Sequence, residues 1–244
     1  MYYNLISSMK KAVTVPIVTT GLVLNLDAGD SASYPGSGTT WTDLTGNSRT
    51  GTLINGVGYS SANGGYLTFN GSNQHVGVSN IVSFLSAKTN FSFDIWFKLN
   101  NPALNNSIFS FGQGGLYTND ILIAVYGSVI LAQVNNGVDG SAYTSFSSTA
   151  WTNIQVVFDG TLTGNSNRLK IYINGVLQTL TISYTVPSVS ATVPTGTSSI
   201  GAYTSTYNGN RLNGNVAVTR GYNTSLTSTE VLQNFNATKS RYGL

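Results

Sequence analysis

Cysteine is absent from the 244-residue chain, so no disulfide framework, thiolate metal site or cysteine nucleophile can form, and packing alone must supply stability. Charge is almost as scarce. Asp, Glu, Lys and Arg make up 8% of the residues, against roughly a quarter in typical soluble domains. The net charge of +3 reflects few acids rather than basic clusters, because the Lys and Arg residues are scattered, and this argues against a nucleic-acid partner. No apolar run approaches membrane-spanning length, and the first twenty residues lack a basic stretch followed by an apolar one, so neither a membrane anchor nor a secretory leader is expected.

Apolar residues (41%) and aromatics (11%) are plentiful. They suffice for a sizeable core, and low net charge with this hydrophobicity is not the composition of a disordered chain. Short apolar or alternating runs recur between Gly, Asn and Ser clusters, which is the pattern of strands and turns. Leu22 to Leu26, Tyr66 to Phe69, Phe91 to Leu99, Ile121 to Val125, Ile154 to Phe158 and Leu169 to Ile173 are such runs. In FSFDIWFKL, Phe91, Phe93, Ile95, Phe97 and Leu99 share one face and should be core, while Ser92, Asp94, Trp96 and Lys98 share a more exposed one. Asn174-Gly175 inside LKIYINGVL predicts a tight antiparallel hairpin. Near the end, Thr227 and Glu230 form a capping box, with Leu226 placed to staple onto Val231 and with Val231, Leu232 and Phe235 on one face of the helix that follows. Residues 1–20 read as an arm, with a short helical pattern at Tyr2, Leu5, Ile6 and Met9, and residues 21–244 as one domain.

After residue 20 the ordered segments GLVLNLDAGD, WTDLTGN with GTLINGV, GGYLTFNGSNQHV, FSFDIWFKL, WTNIQVVFDG, LKIYINGVL and SIGAY through LNGNVAVTRGYNTSLTSTEVLQNF resemble the laminin-G-like, concanavalin-A-like sandwich domains. That resemblance implies an all-β fold, a two-sheet antiparallel jelly-roll sandwich with a short C-terminal helix. The opening LVLNLDAGD through SYPGSGTTWTDLTGN is similar to versions carried by tailed-phage virion proteins. It implies a structural or decoration module on the exterior of a virion assembled in the host cytoplasm. Its partners would be other virion proteins, met through residues 1–20 or the sandwich edges, together with host-surface glycans, and it would be oligomeric when assembled. The alternative is a free-standing or cell-surface glycan-binding lectin or adhesin.

Sandwich glycanases need two carboxyls flanking the scissile bond. The chain holds seven Asp and one Glu, Glu230 is assigned to the helix cap, and Asp94 and Asp159 have ordinary structural explanations, so no enzyme is expected. The single histidine, His75, follows a turn and has no triad partners in sequence. No cofactor is implied except calcium, which such domains can hold at a sandwich rim through oxygen ligands. Asp27, Asp30 and Asp43 are the candidates, although an Asx turn explains Asp43 equally well and the loop leaving the first strand explains Asp27 and Asp30. For sugars, aromatic faces and polar loop side chains are the usual partners. Tyr203, Tyr207, Asn208, Asn210 and Arg211 in GAYTSTYNGNRLNG form one candidate group, and Tyr117 with Asn119 in GGLYTND a second, against a background in which tyrosine also serves exposed strands.

Overall fold

Ten residues of continuous strand, Asn90–Leu99, form the spine of one sheet. The computed structural model describes residues 15–113, 119–137, 140–203 and 210–244. The spine strand pairs with Thr152–Asp159 on one side and Asn213–Tyr222 on the other, within an eight-stranded antiparallel sheet. A nine-stranded antiparallel sheet faces it. Its order runs Thr181–Ser183, Ser141–Ser145, Val129–Val134, Asp120–Tyr126, Asn106–Gly112, Thr197–Ile200, His75–Val78, Gly51–Ile54 and Thr40–Trp41. The inward residues of both sheets make one core, in which Phe93 of the first sheet meets Phe109 of the second with ring centroids 4.4 Å apart. The fold is therefore an all-β sandwich, and all six of the strand runs read from the sequence are strands.

Local chemistry sets the connections. Asn174 and Gly175 both adopt positive φ (51° and 77°) between paired strands Leu169–Ile173 and Val176–Leu177, as a two-residue hairpin with this dipeptide requires. The helix Ser228–Thr238 begins with the expected reciprocal cap: Thr227 Oγ1 accepts from the Glu230 N–H, and Glu230 Oε2 accepts from the Thr227 N–H. Leu226 and Val231 share one apolar cluster.

Two expectations about faces differ from the structure. Ser92, Asp94 and Trp96 are fully buried rather than the exposed side of their strand, because the C-terminal helix and the turn after it lie over them. Trp96 stacks on Tyr242 at 4.0 Å, and its indole N–H donates to Thr238 Oγ1. On the helix, Val231 is buried but Leu232 is exposed, and Asn234 takes a buried place by accepting from the Val18 N–H and donating to the Tyr222 hydroxyl. Gln233 donates to the Pro16 carbonyl, so residues 16–18 of the expected arm are docked on this helix. The helical pattern at Tyr2 to Met9 lies outside the described residues.

Candidate functional site

One unbroken lateral row crosses the outward face of the nine-stranded sheet: Thr40, Thr52, Gly77, Ser199, Ser110, Leu122, Gln133, Ser141 and Ser183, each paired with the next. The alternation of strands puts their Phe, Ile and Val neighbours into the core, so this face is left with hydroxyls, an amide and one leucine. No helix of the described residues covers it. Instead, residues 201–203 and 210–212 lie against its middle. The Ser110 hydroxyl donates to the Ala202 carbonyl (2.8 Å), the Ser107 N–H to the Asn210 carbonyl (3.3 Å) and the Leu212 N–H to the Gly201 carbonyl (3.0 Å). Farther along the same face Thr52, Gly77, Ser79, Val82 and Thr197 line a shallow cavity of about 330 Å³, within the roughly 300–1,000 Å³ usual for small-ligand sites.

Tyr203 of the first glycan-candidate group sits beside Asn119 of the second. Tyr203 packs on Leu122 and Ala124, and its hydroxyl donates to Asp120 Oδ2, next to Asn119. Asp120 Oδ1 accepts from Asn135 Nδ2 (2.6 Å), and Asn135 Oδ1 accepts from the Gly140 N–H. Asn119 Oδ1 accepts from the Gly137 N–H at 3.2 Å, linking the same loops. Tyr203 is thus buried as an anchor rather than presented as a platform, which the abundance of tyrosine in the sequence could not distinguish. Asn210 takes a left-handed φ of 59°. Arg211 is 9% exposed, and its Nε and Nη1 have no hydrogen-bond partner. Burial lowers its pKa. His75 lies near it, buried in strand His75–Val78 with Nδ1 3.2 Å from the Asn73 carbonyl, and burial, then the Arg211 charge, disfavour its protonation. Tyr117, Tyr207 and Asn208 fall outside the described residues.

The three calcium candidates are spread over turns. Asp43 Oδ1 accepts from the N–H groups of Asn25 and Thr45, and Oδ2 from that of Arg49. Asp30 Oδ1 accepts from the Ala32 N–H and Asp27 Oδ1 from the Gly29 N–H, both two residues on, as in Asx turns. Asp27 also meets Arg241 Nη1 at 2.7 Å and Arg220 Nη2 at 3.7 Å, so its charge is already matched. Among the described residues no group of three or more His, Asp or Glu side chains is placed to hold a metal.

Fold comparison agrees with the architecture. Domain 4 of AbnA, an extracellular arabinanase from Geobacillus stearothermophilus solved in complex with arabinotriose, is 17% identical with a TM-score of 0.59, covering 87% of this chain and 97% of that one. A botulinum neurotoxin type C structure, described as showing cell entry dependent on two ganglioside molecules, is 15% identical with a TM-score of 0.63, covering 89% of this chain and 51% of that one. The binding domain of Paraclostridial Mosquitocidal Protein 1 is 16% identical with a TM-score of 0.62, covering 89% and 52%. The chain therefore spans about half the length of these toxin domains. No curated protein matches its sequence. Residues 70–232 match the laminin-G model of the concanavalin A-like lectin/glucanases superfamily, and the chain belongs to that superfamily.

Proposed function

We propose that the protein is a non-enzymatic glycan-binding module whose contact surface is residues 201–203 and 210–212 together with the flanking outer face of the nine-stranded sheet. The observation that carries this reading is the Tyr203–Asp120 hydrogen bond, which ties Tyr203 of one Tyr- and Asn-rich segment to the residue beside Asn119 of the other, on a sheet face that no helix covers among the described residues. Hydroxyls and amides with interspersed apolar surface suit sugar hydroxyls and ring faces. The superfamily, the arabinotriose complex and the ganglioside-dependent toxin support binding rather than catalysis. The test is a glycan array probed with the full chain, in calcium and again in chelator, beside Tyr203→Phe and Tyr207→Ala. Saturable binding that falls at least tenfold in either variant is expected. A folded protein silent on the array, or variants binding as the parent does, would overturn it; loss on chelation alone would assign calcium a part.

A second reading concerns where the module is carried, and it favours the surface of a tailed-phage particle. It rests on the virion-like opening LVLNLDAGD and on the docking of residues 16–18 to the C-terminal helix, which gives the preceding residues a fixed point of departure suited to tethering. Deleting residues 1–14 should abolish incorporation into particles while leaving the thermal unfolding midpoint unchanged. Normal incorporation of the truncated chain would exclude the tether.

A further inference from the structure

A second cavity, of about 220 Å³, lies at the end of the sandwich away from the Gly201–Leu212 segment, near the start of strands Leu22–Asp27 and Asn90–Leu99. Val23, Arg49, Ser83, Phe84, Lys88, Asn90 and Asn223 line it, giving two cations and no acid. Its size is below the roughly 300–1,000 Å³ of sites for drug-sized ligands, which favours a single charged group over an oligosaccharide.

Arg49 is the unusual residue. It is 8% exposed, yet among the described residues its guanidinium donates only to neutral groups: Nη1 to the Val23 carbonyl (2.8 Å) and Nη2 to the Ser83 hydroxyl (3.3 Å), while Nε has no partner and the Asp43 charge acts on it only from beyond ion-pair distance. Its Cζ lies 5.7 Å from the Phe84 ring centroid, over the ring. The nearby Asp43 carboxylate is taken up by backbone N–H groups and Thr45. Asn90 Nδ2 is held by Asp159, a carboxylate otherwise occupied by Thr161 and Ser225. Burying an unpaired cation is expensive, whereas one that meets an anion gains charge-assisted hydrogen bonds. Arg220 pairs with Asp94 and Asp27, and Arg241 with Asp27, whereas Arg49 and Lys88, like the buried Arg211 in another part of the molecule, have no carboxylate partner among the described residues.

We infer that the Arg49–Lys88 cavity is a binding site for one oxyanion group of the phosphate or sulfate type, either free or as the terminal monoester of a larger molecule. Arg49, oriented by Phe84 and Ser83, supplies the fixed charge; Lys88 supplies a mobile one at the mouth, and Asn223 a neutral lining group. The site is independent of glycan binding on the other face.

The test is isothermal titration of the full chain with inorganic phosphate and with sulfate at constant ionic strength set by chloride, repeated with Lys88→Met and Arg49→Lys. Saturable one-site binding is expected, weakened at least tenfold in Lys88→Met, a partly exposed position whose change leaves the circular dichroism spectrum unaltered. Arg49→Lys keeps the charge but loses the planar fork, and it should weaken binding if it folds; if it does not, Lys88→Met decides alone. Titration with glucose 1-phosphate separates the two sources, since tighter binding than phosphate marks a terminal monoester and weaker binding a free ion. Heats no larger than dilution for both anions, or a Lys88→Met protein that binds as the parent does, would overturn the site.

Discussion

On the outward face of the eight-stranded sheet, Asp94, Trp96, Asn153, Gln155 and Arg220 are sealed beneath the C-terminal helix, and their polar atoms are wired together. Arg220 Nη1 meets Asp94 Oδ2 at 3.0 Å, Asn153 Nδ2 donates to Asp94 Oδ1, and Gln155 Nε2 donates to both Asn153 Oδ1 and the Val231 carbonyl. Burial alone would lower the Arg220 pKa, but Asp94, Tyr222 and Asp27 hold it up. On the outward face of the nine-stranded sheet stands a row of Ser, Thr, Gly and Gln with one Leu, met by residues 201–203 and 210–212 and by no helix among the described residues. The first face spends its polar groups on internal structure, where desolvated charge has to be matched. The second carries neutral polar groups, buried at its middle (Ser110, Ser199, Gln133) but accessible at its ends (Thr40, Thr52, Ser141, Ser183), where exchanging water for ligand costs little.

That contrast can be broken most severely from the sealed side. Asp94→Ala strands the buried Arg220 charge and should cost about 3–5 kcal/mol by urea unfolding, while Asp94→Leu combined with Arg220→Met should recover most of the loss. A double variant as unstable as the single would show that the network, not the unpaired charge, matters. Trp96→Ala removes the stacking partner of Tyr242 and should likewise cost roughly 3–5 kcal/mol. Thr227→Ala deletes the helix cap, and with it about 1 kcal/mol. If the open face does not contribute to stability, Ser141→Ala on its half-buried row should stay within about 0.5 kcal/mol of the parent.

His75 sharpens the comparison by pH. Its imidazole takes up a proton in the unfolded chain near the ordinary value of about 6.5, but only at lower pH when folded, because burial and then Arg211 oppose the charge. The stability it contributes is complete above about pH 6.5 and declines as pH falls below that value toward the folded pKa. The expected result is that His75→Asn flattens this acid-side decline in a series of urea midpoints from pH 7 to pH 4.5. An unchanged slope would place the decline on the carboxylates instead.

The sandwich was legible because periodicity and turn chemistry are local: alternation in FSFDIWFKL located the core face, Asn174-Gly175 the hairpin, and Thr227 with Glu230 the helix start. What covers Trp96 was not, since a strand's second face looks amphipathic whether water or a helix lies on it, and the residues that decide, Phe235 and Tyr242, are more than a hundred positions away. The same non-locality hid the pairing of Tyr203 with Asp120 across 83 residues, although each segment had been singled out by composition. Arg49 carried no signal at all. An arginine in a turn-rich stretch looks solvated until the strand at Val23 and the short helix at Phe84 close over it.

Residues 16–18 and the turn Lys239–Tyr242 both lie on the helix-covered side of the molecule. A scaffold joined to either of these regions therefore meets the sealed face and leaves the hydroxyl row pointing outward. Copies arrayed on such a scaffold would present parallel faces to one surface, where a weak grip per copy multiplies into lasting attachment through effective concentration.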